Sequence, residues 1–264
     1  MSRNHSCGAS KLPRIIVTFA VGAEFAPWRR KRKFLLVRSS EVPKYSGEYD
    51  NAEVCVLITG IGMRHAHAEL PKILAEPADA CVVCGLAGSL RAQHQVGTIL
   101  AARAVKRDDT EMVMNSADSL VQIAAAQGAT AVDFFHTSDS VLVSASEKLR
   151  LAETADAVDM ESFQVMAEAL KYGVPAVAVR AVSDAADRDL PFDFNQAIDE
   201  AGEIEWFPML SQIAASPWRL PEMVRFGFGS SKASRNLAIF LDRYLSCLAA
   251  DAIFEANRWH WEAG

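Results

Sequence analysis

Four stretches of the chain are apolar at nearly every position rather than at every second one: RIIVTFAV (14–21), EVCVLITG (53–60), DACVVCGL (79–86) and PAVAVRAV (175–182). A strand wetted on one face alternates, so these continuous runs predict strands covered on both faces. Between them, apolar residues recur with helical period over 63–75, 117–127, 145–153 and 159–172. Strands alternating with helices predict an α/β fold with a mostly parallel or mixed central sheet and helices on both faces. Ligands of such sheets gather beyond the carboxyl ends of the strands. The first run exits into GAEF with Glu24, the second into Gly60–Gly62, the third into Gly85–Ser89, and the last into Ser183 and Asp184.

After about Glu203 the pattern changes. Residues 204–264 read as helices broken near Pro217 and Pro221, and hold four of the five tryptophans. No Pro/Gly/Ser-rich linker or repeat divides the chain, so the reading is one α/β domain over 14–203 and a helical C-terminal appendage over 204–264. The appendage is expected to pack on the same domain or at a subunit contact.

Composition narrows the function. A net charge of −6 and a pI near 5.6 argue against a nucleic-acid partner or an anionic membrane surface. The short basic run Arg29 to Lys33 reads as a solvated helix end or turn. No 18-residue apolar segment is present and the N-terminus lacks a signal-peptide core, so no transmembrane segment and a cytoplasmic location are expected. Five irregularly spaced cysteines make no disulfide framework, and Cys81 and Cys84, although spaced C-x-x-C, lie in a strand-like run as buried thiols. His65 and His67 would point to opposite faces of a helix, so no metal site is expected. The G-x-x-G at 85–88 lacks the dinucleotide fingerprint and its following acidic residue, which disfavours a dinucleotide-dependent oxidoreductase. No cofactor is expected.

Three carboxylates stand where strands leave the predicted sheet or where a strand-like segment enters a helix. Singly, Glu161 reads as an acidic first-turn residue, Asp184 as an N-cap and Glu24 as a surface charge. Together they form a candidate acid–base set.

The segment AVDMES…YGVPAVAVRAVSDAAD resembles the signature of the nucleoside phosphorylase and nucleosidase superfamily, most closely its methylthioadenosine/S-adenosylhomocysteine nucleosidase branch. FAVGAEF, TGIGMRHA, CGLAGSLRAQHQVGTIL and TSDSVLVS are similar in the same order, so the resemblance covers about residues 14–190. It implies cleavage of the N-ribosidic bond of a purine nucleoside or 5′-modified nucleoside. Asp184 matches the acid that protonates the leaving base, Glu24 the base that activates water, and Glu161 the carboxylate on the ribose hydroxyls, with Met160 beside the sugar. The apolar strand leading into Asp184 would help keep that carboxyl protonated by desolvation. The resemblance also puts Arg180 and Ser183 nearer the nucleophile, the backbone of Gly85, Leu86, Ala87 and Gly88 at the glycine-rich exit, and Val141 and Leu142 against the base.

The chain departs from the family pattern in several places. Leu86 stands where a hydroxyl residue is usual, Val141 and Leu142 stand where an aromatic ring stacks on the base, and a loop near 107–117 is shorter. Cys84 stands where phosphorolytic relatives often carry arginine, which favours water over phosphate as co-substrate. The alternatives are a phosphorolytic purine nucleoside phosphorylase, conceivably one for hopanoid-linked adenosine, and a non-catalytic nucleoside-binding member. Relatives associate, so a homo-oligomer, most simply a two-fold dimer, is expected.

Overall fold

The computed structural model describes residues 12–63, 66–196 and 217–262. Ten strands form one sheet: β1 (Arg14–Phe19), β2 (Leu35–Leu36), β3 (Lys44–Tyr49), β4 (Ala52–Ile58), β5 (Ala80–Ser89), β6 (Ile99–Arg107), β7 (Thr110–Asn115), β8 (Thr130–Thr137), β9 (Ala157–Asp159) and β10 (Ala176–Asp184). The helices are α1 (Gly22–Lys31), α2 (Glu69–Leu74), α3 (Asp118–Ala126), α4 (Ala145–Leu151), α5 (Ser162–Lys171) and α6 (Leu220–Glu262). The spatial strand order is β10-β6-β8-β9-β5-β1-β4-β3-β2, with β7 beside β6. Because β10 also pairs with β5, the strands β10, β6, β8, β9 and β5 close into a ring from which β1, β4, β3 and β2 extend. Pairing is mixed: β1 is parallel to β4 and β5, and β10 is parallel to β5, whereas β10 runs antiparallel to β6 and β3 antiparallel to β4.

The four continuous apolar runs are β1, β4, β5 and β10, and they are the strands covered on both faces. In β10, Val177, Val179 and Ala181 join one core with Phe25, Trp28, Leu241 and Tyr244. Ala176, Ala178 and Val182 join the other, with Leu70, Phe163 and Met166. Full burial of such aliphatic or aromatic side chains contributes roughly 1.5–3 kcal/mol each, so both faces of this strand tie it into place.

The helical reading of 63–75 is corrected. A 3-10 turn spans Ile61–Met63, and Gly62 and Met63 have φ of 67° and 65°, a left-handed backbone that cannot propagate an α-helix, so α2 starts only at Glu69. Among the described residues of the appendage, Pro217 and Pro221 stand at the start of its long helix. A 3-10 turn over Pro217–Arg219 leads into α6, whose first turn holds Pro221, where a missing N–H leaves no helical bond unmade. The expected boundary at 203/204 lies outside the described residues.

Helix α6 belongs to the core of the sheet. Leu237, Leu241, Tyr244, Leu245 and Leu248 are buried with the β1, β4 and β10 side chains. The Trp28 indole N–H donates to Asp242 at 2.8 Å and the Tyr244 hydroxyl to the Leu120 carbonyl at 3.0 Å, which ties α6 to α1 and α3. Cys81 and Cys84 are free and buried in β5, and burial raises both thiols, Cys81 to about 12. No described helix is long and apolar enough to cross a membrane.

Candidate active site

The carboxyl ends of β1, β4, β5 and β10 border one cavity of about 620 Å³. Its wall includes Val21 and Glu24 beyond β1, Ile61 beyond β4, Leu86–Gly88 in β5, Ser183 and Asp184 at the end of β10, and Met160 and Glu161 ahead of α5. The three carboxylates singled out in the sequence therefore face one space.

Glu24 sits in the first turn of α1 and turns back over the end of β1. Its Oε2 accepts from the backbone N–H of Ala20 at 3.1 Å and of Val21 at 3.4 Å, and its Oε1 accepts from the N–H of Leu86 at 2.9 Å. One side chain thus joins the exits of β1 and β5. Burial raises its pKa, and the Arg180 charge and the three N–H donors offset only part of that rise.

Arg180 projects from β10 into the space beneath the cavity and is almost fully enclosed. Its Nε lies 3.0 Å from Asp159 Oδ2, its Nη2 lies 3.2 Å from Glu161 Oε2, and it also donates to Ser162 Oγ and the Cys84 carbonyl. Burial works against the guanidinium charge, but Asp159, Glu161 and Glu24 more than compensate and raise its pKa. Asp159 is fixed in turn by the Thr137 hydroxyl at 2.7 Å and the Ser162 N–H at 3.2 Å. The backbone has to pass close by: a Cβ at Gly85, whose φ is 155°, would land on the Arg180 guanidinium and 3.1 Å from Glu24 Oε2.

Glu161 stands at the N-terminus of α5, with Oε1 accepting the Gly62 N–H at 3.0 Å. Burial, helped by Asp159 and Glu24, raises its pKa to about 7 despite Arg180 and the Gly62 donor. The left-handed Gly62 that breaks the helical reading of 63–75 is thus the residue that aims an N–H at Glu161.

Asp184 also lines the cavity, and charged and polar groups join the apolar strand around it. Lys148 of α4, with a side chain 1% exposed, places Nζ 2.5 Å from Asp184 Oδ2. Ser183 donates its hydroxyl to Asp184 Oδ1 at 2.6 Å. Ser183 therefore contacts both Asp184 and the Ala87 carbonyl. In a regular strand Arg180 and Asp184 would share a face. A bulge between Val182 and Asp184 breaks the alternation, and Arg180 pairs with Asp159 and Glu161 instead.

Of the residues expected at the substrate, Leu86, Ala87, Gly88, Val141, Leu142, Met160, Glu161 and Ser183 line the cavity, whereas Gly85 lies against Glu24 and Arg180 pairs with Glu161 without lining it. Val141 is held by a reciprocal pair with Asn195, its N–H donating at 2.8 Å and its carbonyl accepting at 3.0 Å. Sequence reasoning missed Lys148, Asp159 as the partner of Arg180, and the far wall of Phe194 from the β10 loop with Phe226, Ser230 and Ser234 from α6. The AVDM segment preceding Glu161 carried a signal for Asp159; a lysine at helical spacing carries none. Among the described residues no cluster could hold a metal ion, and His65 lies outside them.

The family model of the phosphorylase superfamily matches residues 14–205. The chain belongs to that superfamily and, as expected of a member, is an enzyme of the N-glycosyl hydrolase or nucleoside phosphorylase kind. It is 26% identical over 183 residues to a 5′-methylthioadenosine/S-adenosylhomocysteine nucleosidase of Glaesserella parasuis, covering 60% of this chain and 80% of the relative. Among solved structures it resembles the Helicobacter pylori 5′-methylthioadenosine/S-adenosylhomocysteine nucleosidase bound to butyl-thio-DADMe-Immucillin-A, with a TM-score of 0.68 at 20% identity over 89% of this chain and 98% of that one. It also resembles the futalosine hydrolase of the same organism, with a TM-score of 0.67 at 20% identity over 89% and 97%.

Proposed function

We propose that the chain hydrolyses the N-ribosidic bond of a purine nucleoside carrying a 5′ substituent, with Asp184 as the acid for the leaving base, Glu24 as the base for water and Glu161 as the carboxylate on the ribose. The pairing of the carboxylates supports this reading. Asp184 bonds to Lys148 and Ser183, whereas Glu24 and Glu161 both lie in the field of Arg180. Breaking the bond sends an electron pair to the base, which departs more easily once protonated. The sugar becomes cationic, and a buried carboxylate beside it is worth more there than in water.

The surroundings of Arg180 carry the choice of water. The guanidinium already serves Asp159 and Glu161, and Glu24 lies within its field. Asp159 alone balances the cation, and Glu24 and Glu161 add no positive charge, so none is left over for phosphate. Two like charges 4 Å apart repel by about 4 kcal/mol at an effective dielectric of about 20, so a dianion is disfavoured where a neutral water is not. A water beside Glu24 meets a carboxylate whose raised pKa makes it a better proton acceptor. The 5′ substituent is assigned from the likeness to the nucleosidases named above and from the space toward Ala23, Ala26, Pro27 and Phe226.

The test incubates the purified chain with adenosine and 5′-methylthioadenosine with and without phosphate, and resolves free pentose from pentose 1-phosphate. Base release independent of phosphate with free pentose as product is expected. Strict dependence on phosphate would replace hydrolysis by phosphorolysis, and binding without turnover would leave a nucleoside-binding protein.

A further inference from the structure

The mechanism above leaves one buried charge without a task. Lys148 Nζ donates to Asp184 Oδ2 at 2.5 Å, to the Ala185 carbonyl at 3.1 Å and to the Arg188 carbonyl at 3.0 Å, so all three ammonium hydrogens are used inside the protein. The ammonium cannot swing away easily, because α4 is fastened to the loop beyond β10. The Ala145 N–H donates to Asp189 Oδ1 at 2.8 Å, the Leu190 N–H donates to the Val143 carbonyl at 2.8 Å, and Ser144 and Glu147 cap the helix reciprocally. With Ser183 on the other oxygen, both Asp184 oxygens accept hydrogen bonds. Each Asp184 oxygen thus has a protein partner, and the charged donor in contact with it is the Lys148 ammonium.

The cavity supplies the task. The pair shares the cavity wall with Val141, Leu142, Val158, Leu190 and Phe194, and the Asp184 side chain is only 12% exposed. A nucleoside entering the cavity displaces the remaining water, and two unlike charges in a dry, aliphatic setting lose solvation that their attraction need not repay. Moving one proton from nitrogen to oxygen turns them into a neutral amine and a neutral acid.

We propose that Lys148 is the positioning residue that holds the proton for Asp184: substrate binding drives that proton from Nζ to the carboxylate, and the carboxylate passes it to the base. This rests on the hydrolytic reading above. As the glycosidic bond breaks, its electron pair goes to the base nitrogen, which takes the carboxyl proton. Asp184 is again a carboxylate and Lys148 a neutral amine. Water gives hydroxide to the sugar carbon and a proton to Glu24. When products leave, Glu24 returns its proton to solvent and Lys148 regains one.

Lys148→Met and Lys148→Arg distinguish this from simple anchoring, since arginine keeps the charge but does not release its proton in proteins. Each is assayed with adenosine or 5′-methylthioadenosine, whichever the wild type cleaves, and with 4-nitrophenyl β-D-ribofuranoside, whose phenolate departs without a proton. In both variants kcat on the purine nucleoside should fall by about 10²–10⁴-fold, the range of general acid catalysis. KM should stay within about threefold, and turnover of the nitrophenyl riboside should fall by less than about fivefold. Lys148→Arg at wild-type kcat on the purine nucleoside would overturn the proposal, as would equal losses on both substrates in Lys148→Arg. If Lys148→Met does not fold, the arginine variant decides alone. A wild type that cleaves neither purine nucleoside fails the hydrolytic reading itself, and the proposal falls with it.

Discussion

At the scale of single residues, the carboxylates of the cavity call for different experiments. Asp184→Asn keeps the shape of the acid but not its proton, so kcat on a purine nucleoside should drop by about 10²–10⁴-fold, while a riboside with a good leaving group should still turn over. The same change strips the buried Lys148 of its charged partner, and breaking a buried pair typically costs about 3–5 kcal/mol, so a lower melting temperature should accompany it in calorimetry. Glu161 is tested through pH. Its pKa rises from 4.5 to about 7, so it binds its proton more tightly folded than unfolded. That contribution to stability is complete below about 4.5 and is lost as pH climbs through about 7. Glu161→Gln cannot titrate, so its melting temperature relative to wild type should rise between pH 5 and pH 8. A constant difference across that range would show that Glu161 titrates where an ordinary glutamate does. Glu24, Glu161 and Asp184 could be picked from the sequence because strand exits are where such sheets place their chemistry. Lys148 could not, because a lysine one turn into an amphipathic helix reads as solvent-facing until the loop beyond β10 is folded over it.

At the scale of elements, the legible strands were those covered on both faces. β1, β4, β5 and β10 carry continuous apolar runs because helices lie on both sides of them. β6 and β8 belong to the same ring but carry Arg103, Lys106, Asp133 and His136, and those polar interruptions blur the pattern. β9 is only three residues long, and its place was read from AVDM. α1 was missed as a helix because Pro27 falls inside it. Its position depends instead on a contact distant in sequence: Trp28, fully buried, donates its indole N–H to Asp242, which also pairs with Arg32 at 3.2 Å. Trp28→Phe keeps most of the packing and removes that donor. Hydrogen bonds to charged groups contribute roughly 1.5–3 kcal/mol, so the urea midpoint should fall by a matching amount with an unchanged slope. Because Glu24 lies on the same helix one turn earlier, a loss of activity beyond the loss of folded protein would mean that this bond also sets the angle at which Glu24 enters the cavity.

At the scale of the whole molecule, the reading of an α/β domain with a helical appendage packed on it or at a subunit contact leaves open what the appendage contributes. α6 supplies Leu237, Leu241, Tyr244 and Leu245 to the core over β1, β4 and β10, and Phe226, Ser230 and Ser234 to the cavity wall. A chain ending at residue 216 would uncover the part of that face that α6 shields beside α1 and α3, and it should be recovered as aggregate under conditions where the full chain stays in solution, a difference visible by centrifugation of lysates. Soluble, monodisperse truncated protein would show that α6 is dispensable to the core. The same arrangement sets a schedule for the protein during its synthesis. Chains grow at about 5–20 residues per second, so for several seconds a ribosome carries every carboxylate of the candidate site while Trp28 and one side of β10 still await the helix that covers them. The enzyme's most vulnerable moment comes after its chemistry has been spelled out and before its final helix emerges, and a nascent-chain chaperone would find its binding surface there.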